Sequence, residues 1–112
     1  MRRVARSVAI ARPVQAYAIR LTLASHPGSA YSTPLVNKYV RYGASPRAAQ
    51  ALVLAGKIHA LNRGQAFVSV DDIRAFALPA LRHRILLNFE GEADEVRTDT
   101  IVDELLMNVA SE

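Results

Sequence analysis

Apolar positions recur along most of this chain at the three-to-four-residue spacing that lines one face of a helix. Val14, Tyr17, Ala18 and Leu21 follow Pro13 at i, i+3, i+4 and i+7, which predicts a first complete helix opening at Pro13 and stopped by Pro27-Gly28-Ser29. Residues 30–34 read as loop, and residues 36–42 alternate apolar with basic side chains as a short strand or extended arm does. A second helix is expected over 46–62, with Leu52, Leu54, Ala55, Ile58 and Leu61 inward and Arg63-Gly64 as a cationic, left-handed stop. The third begins at Ser69, whose hydroxyl caps while Asp72 answers three residues on, and its stripe is Ile73, Phe76, Ala77, Ala80 and Leu81. Pro79 lies inside that stripe, lacks the amide that would reach the Ala75 carbonyl, and predicts a kink. Ile85-Leu86-Leu87 suits a short buried strand or a helix end, residues 90–95 read as a solvated acidic loop, and Thr98 is expected to cap a last helix with Ile101, Val102, Leu105, Leu106 and Val109 inward. Residues 2–7 read as the tail of a helix whose earlier turns are missing. The expected fold class is mainly all-α: a small bundle of about four helices, with room for one short extended segment.

Size and composition fit a single domain over residues 1–112, with an ordered core over about 8–109. A chain of this length, 51% hydrophobic, buries roughly 60–70% of its unfolded surface and needs no staples. Without cysteine there is no disulfide framework and no thiolate metal site, and His26, His59 and His83 lack the spacing of metal ligands. No apolar run approaches the roughly 20 residues of a membrane helix, and Met1-Arg2-Arg3-Val4-Ala5-Arg6 leads into no signal core, so a soluble, cytoplasmic protein is expected.

Charge changes the picture more. Residues 1–70 hold ten cations and no carboxylate, whereas residues 71–112 hold four arginines and all ten carboxylates. Such segregation needs a partner or an internal pairing. Either the acidic third folds back over the basic part, or the basic part faces nucleotide phosphates and the acidic flank of a neighbouring subunit.

The most telling residues are Tyr42-Gly43-Ala44-Ser45-Pro46-Arg47. Ser45 suits an N-cap, Pro46 the first helical position, and Arg47 follows beside amides that have no partner inside the helix. A cation at that end opposes the macrodipole by a few tenths of a kcal/mol to about 1 kcal/mol, which suggests an anionic partner, with phosphate the natural candidate. Gly43 is expected to allow a backbone conformation closed to other residues. Arg82 and Arg84 suit a nucleotide or an adjacent protomer, or equally a pairing with Glu90, Glu92 or Asp94; the tyrosines read as packing residues. No Gly-x-x-x-x-Gly-Lys-Ser/Thr loop and no apolar strand ending in paired carboxylates is present, so this chain alone is not expected to hydrolyse ATP.

Three blocks in order carry a family resemblance: residues 40–52 around the Gly43-Ala44-Ser45-Pro46-Arg47 turn, then Val68-Ser69-Val70-Asp71-Asp72-Ile73-Arg74, then Ala77-Leu78-Pro79-Ala80-Leu81-Arg82-His83-Arg84-Ile85-Leu86-Leu87-Asn88-Phe89. Together they resemble the C-terminal helical lid of MoxR-type AAA+ ATPases, of the magnesium-chelatase-like clade, over about residues 8–106. By that resemblance Arg47 is the sensor 2 arginine, Gly43, Ala44, Ser45 and Pro46 shape the nucleotide-facing turn, and the ligand is ATP, with Mg held by an ATPase core upstream of this chain. The resemblance also implies a probable hexameric ring with chaperone-like remodelling activity, whose partners are the AAA+ core, neighbouring subunits and a von Willebrand A domain protein. The loop over 24–34 and the turn Asn62-Arg63-Gly64-Gln65-Ala66-Phe67 depart from the usual pattern. Two other classes compete. One is a stand-alone helical protein-interaction module; the other is a basic nucleic-acid-binding module, disfavoured because residues 46–61 are mostly apolar where base-reading side chains would stand.

Overall fold

The computed structural model describes residues 8–109; the helical tail expected over residues 2–7 lies outside them. Four principal helices make the body: α1 (Arg12–Ala24), α3 (Pro46–Asn62), α4 (Val70–Leu81) and α6 (Thr98–Asn108). Two short helices, α2 (Pro34–Tyr39) and α5 (Phe89–Ala93), pack on each other. Two minimal sheets complete the fold. Strand β1 (Ala9–Ile10) runs parallel to β3 (Phe67–Val68), and β2 (Val40–Tyr42) pairs antiparallel with β4 (Leu86–Leu87), Val40 facing Leu87 and Tyr42 facing Leu86.

The periodic stripes form the core. Tyr17 and Leu21 from α1, Leu52 from α3, Ile73 and Leu81 from α4, and Ile101 and Leu105 from α6 are all fully buried, each contributing roughly 1.5–3 kcal/mol by leaving water. The most extensive contact joins α3 to α4. Here the ridge of α3 differs from expectation: the buried positions are Ala48, Leu52, Gly56 and Ala60, while Leu54, Ala55, Ile58 and Leu61 are half-buried. The reason is closeness. The small residues Ala48, Gly56 and Ala60 of this row leave a shallow groove into which a neighbouring helix sinks. A Cβ at Gly56 would lie 2.8 Å from Ile73 Cδ1 and 3.1 Å from Val68 Cγ1.

Three local expectations are corrected. Residues 36–39 belong to helix α2, because Pro34 stands in the first turn and the partner strand Leu86–Leu87 reaches only Val40–Tyr42. The acidic stretch holds helix α5 rather than loop: the Asn88 side chain accepts a bond from the Gly91 amide at 2.8 Å, and Glu90 and Glu92 stand in the first turn where the dipole favours them. At α6 the cap position falls to Arg97, without a side-chain bond, so Thr98 is the first helical residue and caps nothing. Helix α4 continues through Pro79 and ends two residues later at Leu81, and Arg82 pairs with Asp99 at 2.8 and 3.1 Å rather than with the acids of 90–94. Arg84 donates to the Ala80 carbonyl. No helix of the described residues is long and apolar enough to cross a membrane.

Candidate functional site

The turn before α3 is held by the end of α1, eighteen residues earlier in sequence. Thr22 donates to the Ala18 carbonyl and Ser25 Oγ to the Thr22 carbonyl at 2.6 Å, which turns the Ser25 hydroxyl to accept the Ala44 amide at 2.9 Å. The His26 ring donates from Nε2 to the Ala44 carbonyl at 2.6 Å. Ala44, fully buried, thus has both backbone groups engaged by adjacent residues of α1's C-terminal turn. This explains Gly43 differently from the sequence reading. The only positive-φ glycines among the described residues are Gly28 and Gly64; Gly43 is needed because a Cβ there would sit 2.5 Å from the Ser25 carbonyl oxygen and 2.7 Å from Ser25 Oγ.

Ser45 takes the N-cap position with extended backbone (φ −74°, ψ 169°), but its hydroxyl makes no capping bond, contrary to expectation. Its carbonyl accepts the Ala48 amide at 2.8 Å, and the neighbouring Ser25 and His26 bonds do the fixing that a cap side chain normally does. Ser45, Pro46 and Arg47 are exposed. The Arg47 guanidinium has no hydrogen bond or ion pair among the described residues, and no acid stands in the first turn of α3. An exposed guanidinium without a partner among the described residues therefore stands at a braced helix entrance.

Beside the turn, α1 and α3 enclose an open groove of about 670 Å³, lined chiefly by Ile19, Leu23, Pro46, Val53 and Leu54, with Lys57 at one side. Arg47 stands three residues before Gln50 and seven before Leu54, both of which line it, so the arginine flanks the groove on α3.

At the other end of α3 lies a cluster that sequence reasoning missed. Asp72 is fully buried. It accepts from His59 Nδ1 at 2.6 Å, from Arg63 at 2.7 and 3.1 Å, and from the Ser69 amide and hydroxyl at 2.8 and 3.0 Å. The Ser69–Asp72 capping box was legible; that Asp72 also gathers His59 and Arg63 from α3 was not, beyond the hint of an acid three residues from a cap and next to an apolar stripe. Burial pushes the Asp72 carboxyl up, but the Ser69 amide, His59, the Ser69 hydroxyl and Arg63 together outweigh it and bring it from 3.8 down to about 2. The ring of Phe76 meets His59 edge-on at 5.3 Å. With every Asp72 oxygen engaged, this cluster clasps α3 to α4 and offers no open position for a ligand.

The mainly helical fold has recognisable relatives among known proteins. The AAA lid domain family matches residues 33–105. The chaperone MoxR1 of Mycobacterium tuberculosis is 31% identical over 94 residues, 84% of this chain and 25% of its own length. The uncharacterized protein YeaC of Bacillus subtilis is 34% identical over 70 residues, 62% of this chain and 22% of its own length. The crystal structure of a candidate ATPase from Cytophaga hutchinsonii superposes with a TM-score of 0.91 at 32% identity, over 96% of this chain and 33% of that one. The chain belongs to the AAA lid domain family and is the C-terminal lid of a MoxR-type AAA+ ATPase. It spans a quarter to a third of the length of the MoxR1 chaperone and the Cytophaga hutchinsonii chain.

Proposed function

We propose that this lid supplies Arg47 as the sensor 2 residue to ATP bound by the ATPase core of the same protein, and that loss of the terminal phosphate releases the lid. The observation that carries the reading is the free guanidinium at the entrance of α3, on a turn tied to α1 through Ser25 and His26. Arg47 opposes the macrodipole of its own helix until an anion arrives, so a phosphate contact relieves a standing cost of a few tenths of a kcal/mol to about 1 kcal/mol. Two parallel N–H donors grip phosphate in a way that the point charge of lysine does not reproduce. Gly43, Ala44, Ser45 and Pro46 set the position of Arg47 without touching charge themselves. Because α1 and the turn are joined by side-chain to backbone bonds, displacement of Arg47 moves α1 and the bundle with it, which is how a phosphate contact becomes lid movement.

The catalytic core, including the phosphate-binding loop and the carboxylates that hold Mg, lies outside this chain on this reading. The parent on this reading is a cytoplasmic ring, hexameric, that remodels client proteins in the manner of a chaperone, with a von Willebrand A domain protein as a partner; the similarity to a protein named as a chaperone, MoxR1, supports the chaperone part of it. The test is Arg47→Ala and Arg47→Lys in the complete ATPase. Turnover is expected to fall at least tenfold for both, while the isolated variant lids keep wild-type helicity and melting temperature. Wild-type turnover by Arg47→Ala would overturn the assignment.

A further inference from the structure

Ala44 is gripped from two sides. Ser25 Oγ accepts its amide at 2.9 Å, and the His26 ring, eighteen residues away in sequence, reaches its carbonyl at 2.6 Å. One such contact is a pivot; two, at opposite ends of one residue, set the orientation of the peptide planes that lead into α3. Ala44 is fully buried, so water does not stand in for either partner.

The two contacts differ in kind. Ser25 is fully buried and its hydroxyl is tied into the last turn of α1, so its loss strands a buried amide. His26 is half-buried and lines the groove together with Pro46, so its ring stands between the end of α1 and the first turn of α3. Its backbone is fixed, with the amide donating to the Leu23 carbonyl at 3.1 Å and the carbonyl accepting the Ser29 amide at 3.3 Å. A carbonyl oxygen only accepts, so the hydrogen of the neutral ring sits on Nε2 and leaves Nδ1 as an acceptor. Little else holds the start of α3: Ser45 gives no side-chain cap, and no acid stands in the first turn. Pro46, its φ fixed by the ring, passes the orientation of the Ala44 peptide on to Arg47 with little slack.

We propose that His26 is a positioning residue for Arg47: the bond from Nε2 to the Ala44 carbonyl aims the entrance of α3, and breaking it lets the turn pivot on Ser25 so that the guanidinium misses the phosphate while the lid stays folded. The inference rests on the reading that Arg47 contacts the terminal phosphate of ATP. Misplacement of a reacting or stabilising group by about 1 Å costs up to about a hundredfold in rate, so a pivot too small to alter the fold is enough.

The experiment uses the complete ATPase with His26→Phe, which keeps a ring and removes the donor, and with His26→Gln, whose side-chain amide offers an N–H at similar reach. Turnover at saturating ATP is expected to fall about fivefold or more in His26→Phe and to return to within about twofold of wild type in His26→Gln. ADP, which lacks the terminal phosphate, should bind His26→Phe as tightly as it binds wild type. Asn88→Ala, which uncaps α5, should lower stability without changing turnover and so controls for loss of folded protein. A double-mutant cycle shows whether the histidine works through the arginine: in the Arg47→Ala background His26→Phe should cost nothing further. In the 112-residue chain, imidazole nitrogen shifts at about pH 8, where an ordinary imidazole is neutral, should place the hydrogen of His26 on Nε2. A hydrogen on Nδ1, full turnover by His26→Phe beside a slow Arg47→Ala, no rescue by glutamine, weakened ADP binding, an equal loss in Asn88→Ala, or a further loss in the double variant would each overturn the inference and leave the reading of Arg47 standing. Full turnover by Arg47→Ala would overturn both.

Discussion

Protonating Asp72 should loosen the clasp between α3 and α4 at a pH that follows from its surroundings. The carboxyl is fully buried, yet five hydrogen-bond contacts from His59, Arg63 and Ser69 hold it at about 2 against an ordinary 3.8. A depressed carboxyl contributes stability that is complete above its unfolded value near 3.8 and is lost as pH falls through the folded value near 2. The difference corresponds to about 2 kcal/mol at neutral pH. For a domain of this size that is roughly 8–12 °C in melting temperature. Asp72→Asn keeps the shape and removes the charge, so the gap in unfolding free energy between wild type and variant should be about 2 kcal/mol at pH 7, unchanged at pH 5, and progressively smaller between pH 4 and pH 2. Urea unfolding followed by far-UV circular dichroism at each pH measures it. His59 and Arg63 are partly exposed and return to water in the variant, which keeps the neutral-pH penalty below that of a fully buried broken pair. A gap that stays constant from pH 7 to pH 2, or one near zero at neutral pH, would refute the reasoning.

Two glycines make a paired test. Gly43→Ala drives a Cβ against the Ser25 backbone and should destabilise the lid by about 2–3 kcal/mol, whereas Gly56→Ala meets mainly the far end of Ile73, gains helix propensity, and should stay within about 1 kcal/mol of wild type in thermal melts. Ser25→Ala removes the acceptor for the buried Ala44 amide and should cost about 1–3 kcal/mol; hydrogen exchange at Ala44 should rise by more than at the centre of α4. Asn88→Ala uncaps α5 and breaks its bond to the Lys38 carbonyl, lowering stability by about 1–2 kcal/mol and speeding exchange at Gly91.

Where local chemistry suffices, the elements could be read before folding was considered. The bounds of α3 at Pro46 and Asn62 follow from the Ser-Pro entrance and the Arg63-Gly64 exit, with Gly64 at φ +73°. The Ser69–Asp72 box opens α4 as its residues require. Short elements were less legible because a five- or six-residue helix has little stability of its own and exists through its neighbours. Helices α2 and α5 hold one another: the Tyr39 carbonyl accepts the Asn88 amide, Tyr39 Oη donates to Asp94, and Gly91 lets the backbones meet. Residues 36–39 thus follow an alternating pattern yet fold as helix.

By itself the sequence determined the four principal helices, the main buried stripes of α1, α4 and α6, and the Gly43-Ala44-Ser45-Pro46-Arg47 turn that carries the lid's candidate phosphate contact, because helix periodicity, caps and breakers act over a few residues. Only the tertiary structure decided that Ser25 and His26 brace that turn, that Gly43 is required by closeness rather than by backbone angle, that His59 and Arg63 converge on a buried Asp72, and that α1 and α3 leave an apolar groove open between them. Each of these depends on groups nine to nineteen residues or more apart in the chain coming within contact distance, and that proximity is created by packing whole helices against one another rather than by any short stretch of residues.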